Sequence, residues 1–269
     1  MDAAGVTPPP RTDREILRGR KKEKQMTILA FIFAVFVLGG FVKGVVGLGL
    51  PTVTIGLLSL VMAPAEAAAL LVVPSLVTNV WQFAFGPQLV ALLKRLATVC
   101  IGICAGVWLG AGMLTGNNST TAVLLLGVAL VLYAISGLLS VRFRVSARAE
   151  PWLAPAIGVA TGLVTAATGV FVIPLVPYLQ ALGLEKDDLV QALGISFTVA
   201  TVALAFALAK DGMLSLSVAG TSLFALVPAL LGMWIGQHIR SRIQASTFRR
   251  WFFIGLLLLG LHLAVRPFV

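Results

Sequence analysis

From Ala97 to Val141 the chain runs without a single Asp, Glu, Lys or Arg. Crossing about 30 Å of hydrocarbon takes roughly 20 apolar residues as an α-helix, so this run holds at least two crossings. Uncharged runs recur at Pro151–Leu184, Leu189–Ala209 and Trp251–Val265. Charged residues make up 11% of the 269-residue chain and mean hydropathy is +1.01, against about 25% charged residues in a soluble domain. The runs are unbroken rather than alternating, which excludes a transmembrane β-barrel. The chain reads as an all-α polytopic membrane protein.

One apolar element, Thr27 to Ala63, is too long for a single crossing. Inside it lies Lys43-Gly44-Val45-Val46-Gly47-Leu48-Gly49-Leu50-Pro51. Three glycines and a proline in nine residues argue against an uninterrupted helix. The reading is a helix to about Val42, a break over Gly44–Pro51 and a second helical piece. A second interrupted element follows at Pro151–Gly183, with its break within Gly158–Pro174. In lipid, non-helical backbone is tolerated only where protein or a water-filled cavity surrounds it. Paired breaks in two halves of a membrane chain point to a transporter's binding site.

Between the breaks the chain punctuates itself. Residues 1–25 form a basic arm with Pro8-Pro9-Pro10 and Arg11 to Lys24, read as a cytoplasmic tail that touches anionic lipid. No small-residue cleavage site follows the apolar run after it, and that run is too long, so a signal peptide is not expected. Residues 26–141 form a first transmembrane repeat, 142–150 a basic linker and 151–269 a second repeat. Pro64-Ala65-Glu66 opens a helix with its carboxylate at the positive end, and Glu185-Lys186-Asp187-Asp188 opens another. A segment is expected to end at Lys94-Arg95 on the cytoplasmic side, followed by an element at Leu96–Leu114. Gly106 and Gly110 at helical spacing admit a close neighbour. The run Gly106-Val107-Trp108-Leu109-Gly110 is echoed by Gly232-Met233-Trp234-Ile235-Gly236, which supports two repeat-related halves. The neutral loop at Asn117-Asn118 and the basic loop from Arg240 to Arg250 occupy equivalent places with opposite charge character. Inverted halves with seven or eight crossings fit that pattern, with the N-terminus inside and, for seven, the C-terminus outside.

The chemistry available within the spans is neutral and hydrogen-bonding. Ser75, Thr78, Asn79 and Gln82 share one helix face; such a stripe faces a cavity or another helix, not lipid. Gln191 and Thr198 follow the second break. Lys43 is the only basic residue between Lys24 and Lys94; it attracts an anion or, about 24 Å of helical rise from Thr27, snorkels to an interface. Backbone N–H groups at Gly47, Gly49, Thr168 and Gly169, with Thr165 beside them, suit an oxyanion. The net charge of +10 lies in the tail and loops rather than in a nucleic-acid face. Cys100 and Cys104 read as packing residues. No carboxylate pair, nucleophile–base pair or Gly-x-x-x-x-Gly-Lys run appears, so neither catalysis nor ATP hydrolysis is expected, and neither is a metal or other cofactor. A structural or assembly subunit is the rival class, with an intramembrane enzyme behind it.

The Gly-rich N-terminal break, the Pro74-Ser75-x-x-Thr78-Asn79 stripe, the glycine-spaced helices and the two-half layout resemble the TauE/SafE sulfite-exporter family over about Ile28–Leu263. The resemblance implies a secondary transporter of the cytoplasmic membrane that moves a small organosulfur compound or oxyanion, such as sulfite or a sulfonate, by alternating access. Its implied partners are that anion and the bilayer; a homo-oligomer is allowed. Gly47-Leu48-Gly49-Leu50-Pro51 and Thr165-Ala166-Ala167-Thr168-Gly169 depart from the family's glycine runs, leaving the substrate open.

Overall fold

The computed structural model describes residues 13–84, 86–116, 119–139, 144–240, 242 and 244–268. Pro8-Pro9-Pro10, Arg11, Asn117, Asn118, Arg142 and Phe143 lie outside the described residues. Ten α-helices and no strand are present among the described residues: α1 (Asp13–Val46), α2 (Leu50–Leu58), α3 (Pro64–Ala84), α4 (Leu89–Leu109), α5 (Ser119–Leu139), α6 (Glu150–Thr168), α7 (Leu175–Ala181), α8 (Lys186–Lys210), α9 (Leu216–Ile239) and α10 (Ala245–Val265). All but α2 and α7 are long and apolar enough to cross a membrane, which gives eight candidate spans. Large apolar side chains such as Trp152 (82% exposed) and Trp108 (75%) face outward near helix ends, where amphipathic rings anchor a span at the lipid interface.

The first break is shorter than the glycine and proline pattern predicts. Gly44 stays helical in α1, and Pro51 sits in the first turn of α2, where its missing N–H costs nothing. The chain turns only over Gly47–Gly49. Gly47 (φ 85°) and Gly49 (φ 113°) occupy backbone regions that strain an L-residue. α2 then folds back on α1, with Gly39 opposite Leu50 and Thr54. At the second break α6 ends on Gly169 (φ 74°), and the chain runs through Pro174 before α7.

Two glycine seams set the packing. A Cβ on Gly106 of α4 would lie 2.9 Å from Gly162 Cα of α6, and one on Gly102 would lie 3.0 Å from Gly158 Cα. On α1, a Cβ at Gly44 would lie 2.9 Å from Gly236 Cα of α9, and Gly40 abuts Ala229. Only glycine permits this approach. The close-packed pair on α4 is therefore Gly102 and Gly106, one turn earlier than the expected Gly106 and Gly110. Gly110 caps α4 and faces the Ala166 methyl. By contact geometry Gly236 of the echoed run matches Gly106, so the run is offset by one turn. Likewise Lys94 and Arg95 lie within α4 instead of ending the preceding segment, because α3 stops at Ala84.

Both seams join parallel helices, since residue numbers rise together along each. α3 crosses α8 in the opposite sense: Gly194 meets Phe83 while Thr201 meets Ser75. α5 and α10 are antiparallel through Gly127 and Gly260. Exchanging the first five helices for the last five leaves these partnerships unchanged.

The helix directions sort the connections into two ends. One end gathers the C-terminus of α1, the α3–α4 turn, the linker and the α9–α10 connection. There Arg95 grips Glu150 through two hydrogen bonds of 2.7 and 2.8 Å, and Val145 N donates to Ala181 O. The other end holds the start of α1, the α2–α3 turn, and the contact of Thr115 with Asp211. There Arg266, just past α10, donates to Ser59 O at 3.1 Å. The parallel α1–α9 seam puts the start of α1 and the basic linker at opposite ends. The short helices α2 and α7, with their flanking turns, carry the chain back each time. Both ends of the described chain therefore lie at one end of the bundle, contrary to the seven-crossing expectation.

Candidate functional site

The site starts from a helix fault. Pro74 inside α3 has no N–H for Leu70 O, four residues back. Ser222 of α9 supplies the missing donor at 2.8 Å and accepts from Val73 N at 3.2 Å. The next turn of α3 carries the polar stripe. Thr78 Oγ1 donates to Pro74 O at 2.7 Å, which leaves its lone pairs for another donor.

That donor is Lys43. It sits in the last turn of α1 and is only 4% exposed. Its ammonium donates to Thr78 Oγ1 at 3.0 Å and to Asn79 Oδ1. The side chain turns inward to α3 rather than outward along α1. Among the described residues the one ion pair is Arg95–Glu150, so Lys43 has no carboxylate partner. A buried charge is costly unless paired and hydrogen-bonded. Here hydrogen bonds stabilise it in part, and no carboxylate is in direct contact with it.

Asn79 is held in one orientation. Its Nδ2 donates to Ser75 Oγ at 3.1 Å and toward Thr201 Oγ1 at 3.5 Å. Thr201 spends its own proton on Phe197 O at 2.7 Å, and Ser75 and Thr201 hydroxyls meet at 3.1 Å. Both amide hydrogens therefore turn away from Lys43, and the carbonyl oxygen turns toward it. A polar chain thus runs from α1 through α3 to α8.

A cavity of about 270 Å³ opens beside the ammonium. Lys43, Gly47, Thr78, Trp81 and Gln82 line its inner wall, and Asp187, Gln237 and Arg240 line it from α8 and the end of α9. Gln82 Nε2 donates to Gly47 O at 2.9 Å, tying the stripe to the break.

The anticipated residues divide accordingly. Lys43, Gly47 and Gln82 line the cavity, with Asn79 and Ser75 stacked behind the ammonium. Gly49 starts α2 against Val42 and Phe252. Gln191 does not complete the same shell: its amide donates to Phe83 O at 2.8 Å and accepts from Gln88 N at 2.9 Å, which clasps the α3–α4 turn. Thr198 returns its hydroxyl to Gly194 O. Thr165 bonds Thr161 O, and Thr168 caps the end of α6 by accepting from Val170 N at 3.1 Å. Gly169 faces Ile55, Ala68 and Leu114, away from Lys43. The two breaks therefore do not converge on one shell. Asp187, Gln237 and Arg240 lacked a signal in the sequence that set them apart from ordinary helix-end residues. Asp187 read as a first-turn dipole partner.

Eight long apolar helices, interrupted by two breaks and packed around a buried, hydrogen-bonded lysine, define a multi-pass membrane protein with an internal polar site. The sequence model described as sulfite exporter TauE/SafE matches residues 32–263. The chain belongs to this family of membrane transporters. No curated protein and no solved structure matches it.

Proposed function

We propose that this chain is a secondary transporter that moves a small oxyanion or organosulfur anion, such as sulfite or a sulfonate, across the cytoplasmic membrane by alternating access. The observation that carries the reading is the Lys43 ammonium, buried on a cavity wall with no carboxylate in direct contact. An anion supplies the negative charge, and the cavity is large enough for one with a short organic tail. The backbone left-handed at Gly47 lets the ligand approach the main chain without a side chain in the way. Family membership favours transport over an assembly role or catalysis. The matching helix partnerships favour two inverted, repeat-related halves.

Purified protein in liposomes tests this directly. Uptake of labelled sulfite or a short alkanesulfonate is expected in the wild type. Lys43→Gln should weaken anion affinity by about tenfold or more, because a hydrogen bond to a charged group contributes roughly 1.5–3 kcal/mol. Lys43→Arg should retain part of the activity. Wild-type kinetics in Lys43→Gln, with folding intact, would remove Lys43 from the site.

A further inference from the structure

At the end of the bundle away from the basic linker, another cavity of about 350 Å³ lies between the α2–α3 turn, the start of α5 and the end of α10. Pro64, Thr120 and Arg266 are part of its wall. Pro64 and Thr120 each begin a candidate span, and Arg266 lies at the end of the span Ser246–Phe268. Span ends meet at the cavity, which sets it at the depth of lipid head groups. One flank is apolar, with Val61, Met62 and Val123; Val61 is 55% exposed, as is 76% of Phe268 just beyond Arg266. The other flank carries the charge. Arg266 Nη1 caps the end of α2, donating to Ser59 O at 3.1 Å and Leu60 O at 3.4 Å. These bonds anchor the guanidinium by one nitrogen. Nε and Nη2 form the edge that grips a phosphate through two parallel hydrogen bonds. Among the described residues they donate to no protein group, and no Asp or Glu lines the cavity.

We propose that this cavity holds the head group of an anionic phospholipid. The free edge of Arg266 takes the phosphate oxygens, the Thr120 hydroxyl donates to the head group, and the acyl chains leave along the apolar flank. Charge and surface are both matched only by such a lipid. A soluble phosphate meets the same guanidinium but leaves Val61, Met62 and Val123 uncovered. A zwitterionic lipid covers them but brings its own cation toward Arg266, which no carboxylate on the wall offsets. The site also joins lipid to the interior. Arg266 links a bound head group to the last carbonyls of α2, and the first residue of α2 follows the left-handed turn at Gly47–Gly49. The proposal is independent of the ion that the Lys43 cavity carries.

Lipid retention by the purified full-length protein, read by native mass spectrometry, supplies the test. Phosphatidylglycerol and phosphatidylcholine with identical acyl chains are offered in equal amounts. The wild type is expected to retain phosphatidylglycerol over phosphatidylcholine by about fivefold or more, and excess inorganic phosphate should not displace it. Arg266→Gln should remove the preference. Thr120→Trp fills the cavity while leaving the Arg266 cap on α2 in place, and should remove it too. Arg250→Gln, an exposed position in the first turns of α10 at the opposite end, should keep it. Equal retention of the two lipids would overturn the inference. Displacement by inorganic phosphate would overturn the lipid assignment in favour of a soluble anion. A preference that survives Arg266→Gln or Thr120→Trp, or that Arg250→Gln removes, would overturn it by placing the lipid elsewhere. The wild-type comparison needs no variant to fold.

Discussion

Asn79 and Gln191 are both buried amides, yet their partners assign them different work. Asn79 turns its oxygen to an ammonium because two hydroxyls hold its nitrogen. Replacing that oxygen by a carboxylate supplies the counter-charge from within the protein. Asn79→Asp is therefore expected to keep the fold and to lower anion affinity by tenfold or more in a binding titration; unchanged affinity would contradict the geometry. Gln191 instead bridges Phe83 O and Gln88 N. Gln191→Ala removes both hydrogen bonds from the turn, at a cost of about 0.5–1.5 kcal/mol each, so the expected readout is a lower melting temperature with anion affinity retained. Residue types and helix faces predict where such amides sit. Which end of each amide faces inward depends on the Thr201 hydroxyl for Asn79 and on Phe83 O and Gln88 N for Gln191, brought close only by folding.

The seam helices show how far a pattern can be read at the scale of elements. Glycines four apart announce a close neighbour, but Gly102, Gly106 and Gly110 share one face, so spacing alone cannot choose among them. The choice falls to the partner helix, where Gly158 and Gly162 lie opposite the first two. The breaks were legible for a firmer reason, since few residues other than glycine tolerate the left-handed turns at Gly47 and Gly49. Stability measurements separate seam from non-seam positions. Gly106→Val and Gly236→Val force side chains into facing backbone and are expected to yield little monodisperse protein. Gly220→Ala on α9 points into open space and should be tolerated. Normal assembly of both valine variants would mean the seams are looser than described.

At the scale of the whole molecule, loop charge does not separate the two ends. Arg20 to Lys24 lie toward the start of α1 at one end, while Arg95, Arg148 and Arg240 lie at the other. A rule that counts positive loops therefore cannot put both basic groups on one side, since the parallel α1–α9 packing separates them. Cysteines test the arrangement after Cys100 and Cys104 are replaced by alanine. Lys24→Cys and Ser217→Cys should react with an impermeant thiol reagent from the same side of the membrane, and Ser146→Cys from the other. Labelling of Lys24→Cys together with Ser146→Cys would refute the helix directions. The seams also join helices of different halves, α1 to α9 and α4 to α6, so neither half carries its own complete packing. This has a consequence for biogenesis. The glycine groove of α1 enters the bilayer first, but its partner is synthesised roughly 190 residues later, which at about 5–20 residues per second is on the order of 10–40 s. Throughout that interval lipid, an insertase or a chaperone must occupy the groove, and a ribosome stalled before α9 leaves a membrane chain whose first span is still unmatched.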